Sequence, residues 1–266
     1  MPNPSSHEIA RLRELLGSAS RIVVLSGAGV SAESGIPTFR GAGGLWRNYS
    51  PEQLATPEAF ANNPRLVWEW YDWRRTIIRK AEPNRGHRAL AELERRKGSV
   101  KAAKQASGTG PASVSGTDTD SGFTLVTQNV DGLHNRAGSR NTVHLHGDIW
   151  QVNCVGCGAS ARNEEVPLKD LPPRCSCGGL WRPGVVWFGE SLPAEEWERA
   201  LRASAQAELF LVVGTSAIVY PAAGLAETAR DAGAKLAVVN PEPTALDPLA
   251  DWVLRGPSGA ILPALL

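Results

Sequence analysis

The chain has 266 residues, 28 basic against 27 acidic, a formal net charge of +1 and 42% hydrophobic side chains. That is enough apolar material for one sizeable core and a small satellite module. The near-even charge gives no support for nucleic acid as a partner, because polyanion binders carry a clear basic excess.

The opening Met1-Pro2-Asn3-Pro4 lacks a basic stretch followed by an apolar one, so no export signal is expected. Ser5 and Glu8 then stand at capping-box spacing before Ile9, Leu12, Leu15 and Leu16, which predicts a helix. Arg21 to Leu25 is a short, β-branched apolar run that ends at Ser26-Gly27-Ala28-Gly29. It predicts a buried strand entering a glycine turn. Phe123–Thr127, Leu209–Val213 and Leu236–Val239 have the same form, and helical segments are expected over about 85–97, 193–206 and 221–232. Alternating strands and helices predict an α/β fold, a Rossmann-like parallel sheet with helices on both faces. Ligands bind such sheets at the carboxyl ends of the strands.

Two segments interrupt the alternation. Residues 41–80, rich in tryptophan and arginine, predict a helical insertion, and residues 151–180 hold all four cysteines. The expected organisation is one catalytic unit over 1–266. Its main domain comprises 1–40, 81–150 and 181–266, with 41–80 and 151–180 inserted. Residues 98–122, rich in Ser, Thr, Gly and Ala, read as a flexible surface loop. Leu209 to Ala226 is an uncharged run of 18 residues, but Gly214-Thr215-Ser216 and Pro221 break it. A strand, a turn and a helix start account for it better than a membrane span. A cytoplasmic monomer is expected, without membrane or nucleic-acid partners. In a reducing compartment four cysteines read as metal ligands rather than disulfides.

Cys154-x-x-Cys157 and Cys175-x-Cys177 form two close pairs separated by 17 residues. Four thiolates at that spacing suit one tetrahedral Zn²⁺ with no open position, a structural site. A redox dithiol is the alternative.

Gly27-Ala28-Gly29-Val30-Ser31 follows a strand. Glycines there let backbone approach a pyrophosphate, although a simple tight turn explains the same pair. The longer string from Gly27 through Ile36-Pro37-Thr38-Phe39-Arg40-Gly41 resembles the cofactor loop of the sirtuin family. Gln128-Asn129-Val130-Asp131 resembles the second sirtuin signature, and His144-Leu145-His146-Gly147 the third. Gly214-Thr215-Ser216 and Val239-Asn240 follow in the family's order.

The resemblance implies an enzyme that uses NAD to remove acyl groups from protein lysines, giving nicotinamide and O-acyl-ADP-ribose. It implies cofactor contacts from Gly27, Ala28, Gly29, Ser31, Phe39, Arg40, Trp46, Gln128, Asn129 and Asp131. On the adenosine side it implies Gly214, Thr215, Ser216, Asn240, Pro241, Glu242 and Ser258. Catalysis falls to Asn129 and to His146 as general base, since imidazole titrates near neutrality. His144 shares the same side of an extended strand, so periodicity does not separate the two. Phe39 reads either as a lid that excludes water or as ordinary core packing.

Tyr71 and Arg74, three apart in Trp68-Glu69-Trp70-Tyr71-Asp72-Trp73-Arg74-Arg75, share a helix face. Together they could grip a carboxylate, or they could be a packed phenol beside a solvated arginine. With Gly41–Trp46, Ala55 and Pro57 they resemble the class III sirtuins, which act on succinyl, malonyl or glutaryl lysine. That implies acetyl as a weaker substrate, with the small Ala55 leaving room for a longer acyl chain. Protein mono-ADP-ribosyl transfer and a non-catalytic NAD-binding module are the rival functions.

Overall fold

The computed structural model describes residues 5–39, 49–106 and 122–266, with backbone alone over 100–106. The capping box at Ser5 forms as expected and opens helix α1 (Ser6–Ser18), with the Ser5 hydroxyl accepting from Glu8 N and the Glu8 carboxylate from Ser5 N. A six-stranded parallel sheet forms the main domain. Its strands are β1 (Ile22–Ser26), β2 (Phe123–Thr127), β3 (Thr142–His144), β7 (Leu209–Val213), β8 (Lys235–Val239) and β9 (Trp252–Leu254), in the order β3-β2-β1-β7-β8-β9. Every residue of β1 and β7 is buried, as near-continuous apolar runs require when helices cover both faces. One face packs α1, α6 (Arg85–Ala106) and α10 (Ser258–Leu265) around Leu12, Leu90, Leu125 and Leu262. The other packs α8 (Ala194–Ala205) and α9 (Gly224–Asp231) around Phe210, Val212 and Leu225.

The strand order reverses between β1 and β7, which makes their carboxyl ends the expected crevice. Two glycine turns meet there. β1 runs into Gly27 and the short helix α2 (Ala28–Ala32), while β7 runs into Gly214. Gly29 N donates to Gly214 O at 2.8 Å. A Cβ on Gly29 would lie 2.7 Å from Gly214 O, and one on Gly214, at φ +62°, would lie 2.4 Å from Val30 N. Only glycine allows this approach.

The helical insertion comprises α3 (Pro51–Leu54), α4 (Pro57–Asn62) and α5 (Pro64–Lys80). Each begins with proline after Ser, Thr or Asn, a sequence suited to a helix start. Thr56 Oγ1 accepts from Ala59 N at 3.0 Å and Asn63 Oδ1 from Leu66 N at 3.1 Å. This layer shares one apolar cluster with a three-stranded antiparallel sheet, β5-β4-β6, made of β4 (Gly147–Cys154), β5 (Ser160–Arg162) and β6 (Trp181–Val185).

Two sequence boundaries move. The inserted module does not begin at 151 and end at 180: β4 starts at Gly147 and β6 closes at Val185, because Cys154 pairs with Trp181 and the strands continue to the Gly147–Val185 pair. The loop expected from residue 98 does not start there, since α6 runs helical to Ala106. Lys101-Ala102-Ala103-Lys104-Gln105-Ala106 is built from good helix formers, which the Ser, Thr and Gly content of the whole 98–122 segment masks. The rest of that segment, 107–121, lies outside the described residues. Among the described residues no helix is long and apolar enough to cross a membrane; Leu209–Ala226 is strand, turn and the start of α9.

The four cysteine sulfurs lie within 4.8 Å of one another. Cys154 Sγ to Cys177 Sγ is 3.5 Å and Cys157 Sγ to Cys175 Sγ is 3.8 Å. Zn–S bonds of about 2.3 Å in a tetrahedron place sulfurs about 3.8 Å apart, so this set fits one structural zinc. Gly156 N and Gly179 N donate to Cys154 Sγ and Cys177 Sγ at 3.3 and 3.4 Å, stabilising thiolates. A Cβ on Gly179 would stand 3.0 Å from Cys154 Sγ and 3.1 Å from Gly156 N, so the second turn closes tightly on the first.

Gly214→Ala combines left-handed strain with a backbone clash and should cost about 2 kcal/mol or more, lowering the melting temperature by roughly 5 °C in a thermal melt. Metal analysis should find one zinc per chain in the wild type and none in Cys177→Ser, whose melt should be less cooperative.

Candidate active site

A cleft of about 580 Å³ runs from the β1/β7 crevice to α5 and the loop after β6. Gly27, Ala28 and Gly29 line one end with Gly214, Thr215, Ser216, Asn240, Pro241 and Glu242. The glycine turns leave backbone, not side chains, facing that end. Their missing Cβ atoms let the two turns close on each other, so that peptide groups form the wall of this end. Gln128 Nε2 donates to Thr215 Oγ1 at 3.3 Å across the crevice, and Asn240 Nδ2 donates to Glu242 O at 2.7 Å.

Asn129 follows the end of β2. Its Nδ2 donates to Gly27 O at 3.0 Å and to Ser31 Oγ at 3.2 Å. Both amide hydrogens are used, which leaves Oδ1 as the atom Asn129 can offer to the cleft. Ser31 and Asp131 stand behind this wall and do not line it. The Ser31 hydroxyl donates to Asp131 Oδ2 at 2.7 Å, and Leu133 N donates to Oδ1 at 2.8 Å. Burial pushes the Asp131 carboxyl up, against these two bonds. His87 Nε2 lies 3.3 Å from Ser31 Oγ and burial pushes its pKa down to about 4, so the imidazole is neutral at pH 7. Ser31, expected at ribose or phosphate, is buried here and supports Asn129 through its hydroxyl. Ser258, expected near adenosine, is buried elsewhere with its hydroxyl on Glu33 Oε1 at 3.1 Å.

The structure separates the two histidines. His146 lines the cleft; His144 sits on β3 paired with Thr127, its Nδ1 buried without a partner among the described residues. His146 Nδ1 lies 3.1 Å from Gln128 O. A carbonyl only accepts, so Nδ1 carries the hydrogen and Nε2 keeps its lone pair. Burial lowers the His146 pKa from 6.5, partly opposed by the Gln128 bond.

At the far end Ala55, Trp70, Tyr71 and Arg74 line the cleft with Phe39. Arg74 is 5% exposed, so the surface-helix reading fails for it. Its guanidinium stands 5.1 Å from the Phe39 ring centre, 4.6 Å from that of Trp70 and 5.3 Å from that of Tyr71. Its Nε has no hydrogen-bond partner among the described residues. Burial lowers the Arg74 pKa and raises that of Tyr71. Phe39 thus belongs to the cleft wall as well as to the core margin. Arg40 and Trp46 lie outside the described residues.

Trp187, Phe188, Glu190, Ile218 and Tyr220 also line the cleft and were not candidates from sequence. They follow strand ends, but all except Glu190 are aromatic or aliphatic and look like core. The only available signal was Phe188-Gly189-Glu190, a polar stop after an apolar run.

The family model described as Sir2 family matches residues 27–106 and 116–221. A relative from Pyrobaculum aerophilum, named NAD-dependent protein deacylase 2, is 49% identical over 95% of this chain and 92% of its own. An NAD-dependent protein deacylase from Aquifex aeolicus is 52% identical over 86% and 87%. The solved complex of a Sir2 homolog with NAD superposes with a TM-score of 0.84 at 44% identity, over 100% of this chain and 94% of that one. With the glycine crevice, the cleft histidine and the four-cysteine cluster in place, these matches show that the chain belongs to the Sir2 family of NAD-dependent protein deacylases.

Proposed function

We propose that this chain removes acyl groups that end in a carboxylate (succinyl, malonyl or glutaryl) from protein lysines, with acetyl as a weaker substrate. The observation that carries the reading is Arg74: a guanidinium 5% exposed, facing the cleft between aromatic rings, with no carboxylate in ion-pair contact among the described residues, Asp131 acting on it only through space. Burying a cation without a counter-ion is costly, and a substrate carboxylate would supply one in a charge-assisted hydrogen bond. Ala55 at the same end leaves length for a four- or five-carbon chain.

When bound, NAD supplies the ribosyl carbon that receives the acyl oxygen as nicotinamide leaves. The glycine turns at Gly27–Gly29 and Gly214 hold the dinucleotide against backbone. Asn129, fixed through Gly27 O and Ser31, presents Oδ1 to orient the nicotinamide end. Phe39, in the cleft wall, would shield the nicotinamide end of the bound cofactor from bulk solvent. His146 takes a proton from a ribose hydroxyl at Nε2, while its Nδ1–H stays on Gln128 O. One water is consumed when the amine leaves, after nicotinamide has gone, and the products are free lysine, nicotinamide and O-acyl-ADP-ribose.

Arg74→Met should lower kcat/KM for a succinyl-lysine peptide on the order of 100-fold and change the acetyl peptide by less than about threefold. Equal losses on both peptides, or none, would remove the carboxylate reading. A base works in its neutral form, and the His146 pKa is lowered from 6.5. The acid limb of the pH–kcat/KM profile should therefore fall below pH 6.5, with activity full above it. His146→Ala should abolish turnover while NAD still binds, as read by calorimetry.

A further inference from the structure

The Tyr71 hydroxyl has one hydrogen to place, and its surroundings constrain where it goes. Trp187 Nε1–H donates to the Tyr71 oxygen at 2.9 Å, in a buried bond. Arg74, on the same face of α5, carries donors and no acceptor. Among the described residues the Tyr71 O–H donates to nothing. Its two polar neighbours both present hydrogens to it, so its own hydrogen must point away from them, into the cleft.

We infer that Trp187 is a specificity-determining positioning residue that locks Tyr71 as a hydrogen-bond donor, so that the acyl head group must accept hydrogen bonds from both Tyr71 and Arg74. This rests on the carboxylate reading above and adds what enforces it. A carboxylate accepts at both oxygens. A carboxamide of the same shape brings an NH₂ that meets a donor, and a buried donor facing a donor is left unsatisfied.

The lock is itself held. The Arg182 guanidinium lies 3.6 Å from the centre of the Trp187 ring, and its Nη2 donates to Glu190 Oε2 at 2.8 Å and to Val185 O at 3.0 Å. The same Glu190 Oε2 accepts from Trp187 N at 2.8 Å. Phe60 packs on the ring at 5.4 Å between centroids. Burial keeps Tyr71 a neutral phenol, which preserves the hydrogen it must give. Trp187 therefore has a fixed backbone, a fixed ring plane and one direction for its N–H.

The test compares kcat/KM on one peptide carrying succinyl-lysine, succinamyl-lysine (the terminal carboxamide) or acetyl-lysine. Trp187→Phe keeps an aromatic ring but removes the N–H and frees the Tyr71 hydroxyl to accept. The succinyl-to-succinamyl ratio should fall about tenfold. Arg182→Gln, outside the cleft wall, should lower the ratio in the same direction by a smaller factor. Because the two head groups match in size, loss of packing alone would scale both rates and leave the ratio unchanged. A Trp187→Phe ratio within about twofold of wild type overturns the lock. If Trp187→Phe does not fold by circular dichroism, an unchanged ratio in Arg182→Gln overturns it instead. Arg74→Met separates the two levels. If that variant leaves the succinyl-to-acetyl ratio unchanged, the carboxylate reading falls. If it lowers that ratio while Trp187→Phe leaves the succinyl-to-succinamyl ratio alone, only the lock falls.

Discussion

The contact on which the rest of the cleft depends is the meeting of backbone with backbone where β1 and β7 end. Gly29 and Gly214 approach so closely that a methyl group on either would overlap the other's chain. The sheet alone brings the two strand ends side by side. The glycines turn that adjacency into a floor of peptide groups, with Gly29 N already bonded to Gly214 O. Asn129 takes its position from the same floor, through Gly27 O, and Gln128 reaches across it to Thr215. A bulkier turn on either strand would shift three of the residues that face the cofactor end at once.

The acyl end is organised differently, by one helix. α5 carries Tyr71 and Arg74 toward the cleft and uses its remaining polar side chains to grip the small sheet and the loops around it. Trp68 Nε1 donates to Trp181 O at 2.7 Å, Asp72 Oδ1 accepts from Leu168 N at 3.0 Å, and Arg75 Nη2 donates to Asn163 Oδ1 at 2.7 Å. Arg75 is fully buried beneath Trp68 and Trp150. Breaking such a bond would leave a buried cation or carboxylate unpaired, so the helix has little freedom to roll. The cleft face of α5 and the small sheet that carries the cysteines are thus parts of one packed layer.

The main sheet was readable because each strand is a short β-branched run stopped by glycine or a polar residue, as at Leu25-Ser26-Gly27 and Val213-Gly214. The cysteine spacing gave the metal site for a similar reason: ligand chemistry fixes the pattern locally. Periodicity could not choose between His144 and His146, because the difference lies in what stands opposite each one: Thr127 in the sheet for one, Gln128 O at the cleft for the other. Ser31 was assigned to ribose or phosphate because it lies in the glycine string. That its hydroxyl donates to Asp131, a hundred residues away, no local pattern shows. Trp187 carried no mark at all, since its role depends on a tyrosine 116 positions earlier. Local pattern reveals elements and ligand sets. Partnerships across the fold appear only once the chain has closed.

β4 and β6 form an antiparallel ribbon whose two ends do different things. At one end Cys154 faces Trp181 beside the sulfur cluster; at the other Gly147 pairs with Val185, and Val186 N donates to His146 O at 2.9 Å. His146 immediately precedes β4, and Trp187 stands just past β6. The ribbon works like a pair of tweezers. The four-cysteine cluster sits at the closed end, and the tips carry His146 on one arm and Trp187 on the other. The gap between the tips is set where they meet, by the Gly147–Val185 pair and the Val186 N–His146 O bond, while the cysteine cluster holds the far end of the same ribbon, roughly 26 Å away along an extended strand.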